Sequence, residues 1–311
     1  MKNIFVSGGA GYIGSVLVPK LLESGYQVTV LDNFMYQQNS LAPHFINKNL
    51  TVVNGDVRNI DLVNTLAKKA DIIMPLAAIV GAPACNKDPI SATAVNKHSV
   101  IDMLENISDN QWVIMPTTNS GYGASKPGEY LTELSPLNPL SLYAKDKVEL
   151  EKKLMLRKES TSFRLATVFG MSPRMRLDLL VNSFVKSAID PGYVILFEAE
   201  FRRNYIHVLD VASAFLFAIN NPDKFRGEIF NVGLSSANLT KRELANKVFE
   251  QHPTFHIMES EINQDPDKRD YLVSNKKIEE TGFNTQVTLE TGIKELLSGL
   301  RTLKWELYNN L

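Results

Sequence analysis

A chain of 311 residues with 44% hydrophobic and 22% charged side chains has the make-up of a soluble globular protein, long enough to bury a sizeable core. Its 33 basic and 34 acidic side chains leave a formal net charge of −1, which excludes an overall basic field for nucleic acid or anionic lipid. The single cysteine, Cys85, allows no internal disulfide and is too few for a thiolate metal site, so no metal is expected.

The apolar start, Ile4-Phe5-Val6, is too short for a signal peptide, and no apolar run approaches the ~20 residues of a membrane span, so the cytoplasm is the expected location. Ile4-Phe5-Val6, Val28-Thr29-Val30-Leu31, Leu50-Thr51-Val52-Val53, Ile72-Ile73-Met74 and Trp112-Val113-Ile114-Met115 read as strands apolar on both faces, the pattern of a buried parallel sheet. Helical stretches fall between them, around 12–24, 60–69 and 90–106. Pro19 lies inside the first and predicts a local bend. The alternation predicts an α/β fold built on a Rossmann-like, doubly wound parallel sheet, with a smaller C-terminal α+β lobe. Residues 1–167 and 204–233 are expected to form the first lobe, and 168–203 and 234–311 the second.

The first strand runs into Ser7-Gly8-Gly9-Ala10-Gly11-Tyr12-Ile13-Gly14, where Gly8, Gly11 and Gly14 have the spacing GxxGxxG. A side chain at this turn would block close approach of a pyrophosphate, and a helix beginning near Gly11 would aim its free N–H groups at the phosphates. The second strand ends at Leu31-Asp32-Asn33, with Asp32 placed 18 residues after Gly14 to accept from the adenosine ribose. A carboxylate there repels a 2′-phosphate, and no lysine or arginine follows until Lys48, so NAD is the expected cofactor. In Gly55-Asp56-Val57, Asp56 is a candidate acceptor for the adenine amino group.

Strand five ends in Pro116-Thr117-Thr118-Asn119-Ser120-Gly121-Tyr122-Gly123, which brings hydroxyl groups to a carboxyl end of the sheet. Tyr143-Ala144-Lys145-Asp146-Lys147 is a YxxxK pattern, and on a helix Tyr143, Lys147, Leu150 and Leu154 form one stripe. A phenol loses its proton only near pH ~10, and a neighbouring ammonium favours the phenolate. Tyr143 is then a candidate base for a hydroxyl proton, with Thr118 holding the same oxygen. Cys85 and His207 read as structural residues.

The order GGAGYIG, LDN, GDV, Leu76-Ala77-Ala78, TTNSGYG and YxxxK resembles the extended short-chain dehydrogenases/reductases that modify nucleotide sugars, the NAD-dependent epimerase/dehydratase family, over nearly the whole chain. The resemblance implies a nucleotide-sugar substrate, with Gly8, Gly11, Tyr12, Ile13, Gly14, Asp32, Asn33, Asp56, Val57, Leu76, Ala77, Ala78, Asn96, Thr117, Tyr143 and Lys147 around the cofactor. It implies Thr118, Asn119, Ser120, Thr167, Arg174, Arg176, Arg203 and Arg269 around the sugar nucleotide, with Arg203 and Arg269 on the diphosphate. The chain departs from the family at Pro75, where histidine is frequent, and at Asn204, where an acid is usual. The family pairs subunits through helices around 90–106 and 142–158, which implies a homodimer or homotetramer.

Family members share oxidation at sugar C4. Dehydratases place an Asp-Glu pair directly after the catalytic threonine; here Asn119 and Ser120 stand there, so elimination lacks its acid and base. A C4 epimerase and a net C4 dehydrogenase remain, as does an NAD(H)-binding sensor or scaffold of the same fold. TTNSGYG, Ser172-Pro173-Arg174-Met175-Arg176-Leu177-Asp178 and Asp265-Pro266-Asp267-Lys268-Arg269-Asp270-Tyr271 resemble GDP-mannoheptose 4-dehydrogenases of capsule pathways. That likeness implies a GDP-linked substrate and a second substrate, such as a 2-oxo acid, to reoxidise the cofactor.

Overall fold

A computed structural model describes residues 2–126, 128–261 and 269–302. Seven strands, β1 (Asn3–Ser7), β2 (Gln27–Asp32), β3 (Leu50–Asn54), β4 (Ile72–Pro75), β5 (Trp112–Thr118), β6 (Ser160–Leu165) and β7 (Glu228–Val232), form one sheet in the order β7-β6-β5-β4-β1-β2-β3. All its pairings are parallel. The order reverses between β1 and β4, and a crevice opens there at the carboxyl ends of the strands.

The strands are apolar on both faces because both faces are covered. Ile4, Val6, Val28, Val30, Ile72, Met74 and Ile114 face one core, while Phe5, Leu31, Ile73, Val113 and Met115 face the other. Val16, Leu17 and Leu21 of the helix Gly14–Glu23 close the first core; Val63, Met103, Leu150 and Leu154 from three helices close the second. The helix Gly14–Glu23 runs unbroken through Pro19, whose ring omits only the bond to the carbonyl of Ser15. Phe163 on β6 is fully buried, with ring centroids of Phe215, Phe225 and Phe230 at 5.2, 6.1 and 6.4 Å. Phe163→Ala is expected to cost about 3–5 kcal/mol, read as a shift of the denaturant midpoint; a loss under about 1 kcal/mol would mean the cluster repacks.

A second sheet joins Thr167–Phe169, Arg202–His207 and Asn238–Thr240, the first pair parallel and the second antiparallel. The strand Arg202–His207 therefore pairs outside the large sheet. The chain rejoins the first core with the helix Val208–Asn220, which packs on Gly14–Glu23. His207 is 1% exposed and caps that helix: its Nδ1 accepts from the Leu209 amide, leaving Nε2–H to donate to Glu295 at 2.8 Å. No helix among the described residues is long and apolar enough to cross a membrane.

Candidate active site

The crevice is a cleft of about 840 Å³ that runs from the glycine turn past β4 and β5 to the start of the helix Leu142–Leu154. It opens because β4 pairs with β5 only at Ile72–Trp112 and Ile73–Val113, so β5 runs on without β4 beside it. Pro116 is tolerated in this central strand because its missing N–H falls on the β4 side, where the ladder has already ended.

At the turn, Gly8 has φ +72°, and a Cβ there would stand 2.5 Å from the Ala77 amide nitrogen. A Cβ on Gly14 would meet the Gly8 carbonyl oxygen at 2.6 Å. Three backbone segments thus converge where only glycine fits, leaving a cradle of the size a pyrophosphate needs. Regular helix begins at Gly14, one turn later than expected, although Ser15 N already donates to Gly11 O at 2.9 Å. Tyr12 lines the cleft as expected, and its side chain has a further role. Its phenol donates to Gly170 O at 2.7 Å and accepts from Asn182 at 3.2 Å, so the side chain ties the turn to the second lobe.

Asp32 accepts from the amides of Ala10 and Phe34, both at 2.9 Å. Burial pushes its carboxyl up from the usual value; those bonds and the nearby Arg174 oppose the shift. Arg174, expected beside the sugar nucleotide, also lines the cleft; its guanidinium, 3% exposed as a residue, lies 3.7 Å over the Tyr36 ring and near enough to Asp32 to act on its carboxyl. Asp56 is forked by Arg58 at 2.9 and 2.7 Å, which holds its carboxyl down at about 2. Asn33, Val57, Leu76, Ala77 and Ala78 line the cleft as expected.

Asn96 lies off the cleft lining. Its amide is paired with the backbone of Ile79, accepting at 2.7 Å and donating at 2.8 Å, so it shapes the loop after β4 from a short π-helical turn, Ala94–His98. Thr117 lines the cleft through its backbone; its hydroxyl points into the core, bonded to Glu151 and Ser162 at 3.0 and 2.9 Å. Asn119 is 1% exposed and outside the lining, which removes it from the expected sugar contacts. Cys85 is buried, with its thiol pushed up by burial.

Thr118, Ser120, Tyr143 and Lys147 do share the cleft wall. The Thr118 hydroxyl donates to Ser120 Oγ at 2.9 Å, and Arg269 donates to the same oxygen. The Ser141 side chain caps the helix by accepting from Ala144 N at 3.2 Å, presenting Tyr143 at its first turn. Burial pushes the Tyr143 phenol up to about 12; Arg176 and Arg269 pull it back. Lys147 was the expected source of that pull. Its ammonium donates to Pro116 O at 3.3 Å, and burial draws it down to about 8.

Thr167, Arg176, Arg203 and Arg269 line the same cleft. Arg176 is paired with Asp178, and Arg203 is 3% exposed with Tyr271 beneath it. Positions 265–268 of the late arginine segment lie outside the described residues. Sequence reasoning missed Tyr36, Arg58 and Lys241, all on the lining; none stands in a motif that would have marked it.

Residues 4–233 match the profile described as the NAD dependent epimerase/dehydratase family. The chain belongs to that family. It is an NAD-dependent enzyme of the nucleotide-sugar epimerase and dehydratase type. A putative UDP-glucose 4-epimerase of Methanocaldococcus jannaschii is 27% identical over 96% of this chain and 98% of its own. Among solved structures, UDP-glucose 4-epimerase of Thermotoga maritima with UDP-glucose is 25% identical with TM-score 0.83, covering 96% of this chain and 98% of its own. A dTDP-glucose 4,6-dehydratase of Streptomyces venezuelae with NAD bound has the same identity and TM-score, over 96% of this chain and 97% of its own.

Proposed function

We propose that this enzyme oxidises the C4 hydroxyl of a nucleotide-diphosphate sugar held between the two lobes, and that the net product is the 4-keto sugar. The observation that carries this is that Thr118, Ser120, Tyr143 and Lys147 share the glycine-turn cleft with Thr167, Arg176, Arg203 and Arg269, with Arg269 reaching Ser120 directly. Bound at the glycine turn, NAD supplies the hydride acceptor. Tyr143 takes the C4 hydroxyl proton, Thr118 orients the same oxygen, and the charges of Arg176 and Arg269 favour the ionised phenol, with Lys147 one turn along the same helix. Arg203 and Arg269 hold the diphosphate by bidentate bonds, with Thr167 and Arg176 beside the sugar. Residues 168–203 with 234–311 act as the sugar-nucleotide lobe.

Elimination is disfavoured because Asn119 is buried off the cleft and Ser120 is engaged by Thr118 and Arg269, leaving no titrating pair beside the sugar. The likeness of the sequences at 118–123, 172–178 and 265–271 to GDP-mannoheptose 4-dehydrogenases favours GDP-mannoheptose as substrate, with a 2-oxo acid restoring the oxidised cofactor and the keto sugar passing to surface polysaccharide. The epimerase relatives favour a second reading, in which the hydride returns to the other face. Incubation with GDP-mannoheptose, with and without a 2-oxo acid, separates them. A product lighter by H₂ that exchanges solvent deuterium beside C4 supports the dehydrogenase. A stereoisomer of unchanged mass formed without oxidant supports the epimerase. A 6-deoxy-4-keto product overturns both.

Asp32 and Arg174 lead to a cofactor prediction. Asp32→Ala removes the charge that repels a 2′-phosphate and leaves Arg174 beside it. The preference for NAD over NADP is expected to fall at least about tenfold, the equivalent of one ionic contact of ~1.4 kcal/mol. Paired titrations with the two cofactors measure it, and an unchanged ratio contradicts this placement of Arg174.

A further inference from the structure

Tyr143, Lys147 and Glu151 stand four residues apart on the helix Leu142–Leu154 and so share one stripe. The first two face the cleft; Glu151 lies two turns on from Tyr143, against the sheet, and is 3% exposed. Its Oε2 accepts from Thr117 at 3.0 Å and Ser162 at 2.6 Å, and Arg164 donates to the carboxylate through Nε at 3.1 Å and Nη2 at 2.6 Å. Thr117 is the neighbour of Thr118 on β5, and Arg164 is its partner across the β5–β6 ladder. Arg164 also donates to the Tyr122 hydroxyl at 2.9 Å, in the short helical turn that begins with Asn119, and that hydroxyl donates to Asn231 on β7 at 2.7 Å. One carboxylate therefore joins the helix, two strands and the loop carrying Ser120. Apolar side chains in place of the whole Glu151–Arg164 pair would often cost such a core little. What directional bonds add is a single register, because four fixed donors are satisfied at only one sliding position of the helix.

We propose that Glu151 is a positioning residue: it fixes how far the helix slides along β5, and so sets the gap between the Tyr143 phenol and the Thr118 hydroxyl. The inference rests on C4 oxidation by that pair. Glu151→Gln keeps the shape and loses the charge. The double variant Glu151→Gln/Arg164→Gln removes both charges together, so no guanidinium is left buried alone if the single variant folds poorly. Both are expected to bind NAD and sugar nucleotide as the wild type does, with KM unchanged and kcat about 100-fold lower. Crystal structures should show the Tyr143 Oη to Thr118 Oγ1 separation displaced by about 1 Å. A core-only role predicts the opposite pattern: lower thermal stability in the single variant, recovery in the double, and wild-type kcat in both. Wild-type kcat with an unchanged separation overturns the inference. Tyr143→Phe is assayed alongside. If it abolishes turnover while the Glu151 variants do not, only the positioning role fails; if it leaves turnover intact, the C4 reading fails, and the measured separation still decides for or against Glu151.

Discussion

Replacing Tyr143 with phenylalanine is expected to lower kcat by about 10³-fold while leaving NAD binding and the folding midpoint near wild type. Phenylalanine fills the same space, so the loss reports the hydroxyl alone. The pH dependence follows from the same hydroxyl. The reactive form is the phenolate, and burial pushes the phenol up to about 12, so at neutral pH the ionised fraction is small. The rate therefore climbs as pH rises, close to tenfold per unit while the phenol remains mostly protonated. Lys147 is drawn down to about 8, but the cations that pull on the phenol are Arg176 and Arg269, so its loss of charge leaves the climb unbroken. The profile of kcat/KM should accordingly rise from about pH 6 through about pH 8 without flattening. Lys147→Met should leave that slope unchanged; a wild-type rate that falls over this range contradicts the assignment of Tyr143 as the base.

Gly8→Ala is expected to abolish NAD binding, weakening it by more than about 100-fold, and to destabilise the fold by about 2–4 kcal/mol. Two effects combine. Gly8 has φ +72°, where an L-residue is strained, and the new Cβ would lie 2.5 Å from Ala77 N, 2.6 Å from Ala77 Cα and 2.9 Å from Leu76 C. All three atoms are backbone, so no rotamer change relieves the clash. The turn must open away from β4, which dismantles the cradle. Gly25→Ala is the control: φ is +83° but nothing lies within 4 Å of the added Cβ. It should cost only about 1 kcal/mol and leave NAD affinity unchanged. Isothermal titration with NAD and thermal unfolding measure both variants.

The strands of the large sheet were legible because burial on both faces leaves continuous apolar runs, and the alternating halves of Ile4-Phe5-Val6 do face separate cores. The glycine turn was legible because its spacing encodes close backbone approach, which Ala77 now explains. Side-chain direction was not. Thr117, Asn96 and Tyr12 stand in motif positions, yet each spends its polar atoms on the protein itself. Nor does spacing report which distant cation arrives at a carboxylate, as Arg174 does near Asp32. The pairing of Arg202–His207 with Thr167–Phe169 is non-local and leaves no periodic mark in the sequence.

The central claim is that the carbon oxidised is C4, with its hydrogen passing to the bound nicotinamide. Single-turnover mixing of NAD-loaded enzyme with sugar nucleotides deuterated at one ring position tests it, by following the near-ultraviolet absorbance of the reduced cofactor. The account predicts that deuterium at C4, and at no other carbon, slows that signal. A slowing confined to another position, or no signal with any nucleotide sugar that binds, contradicts it.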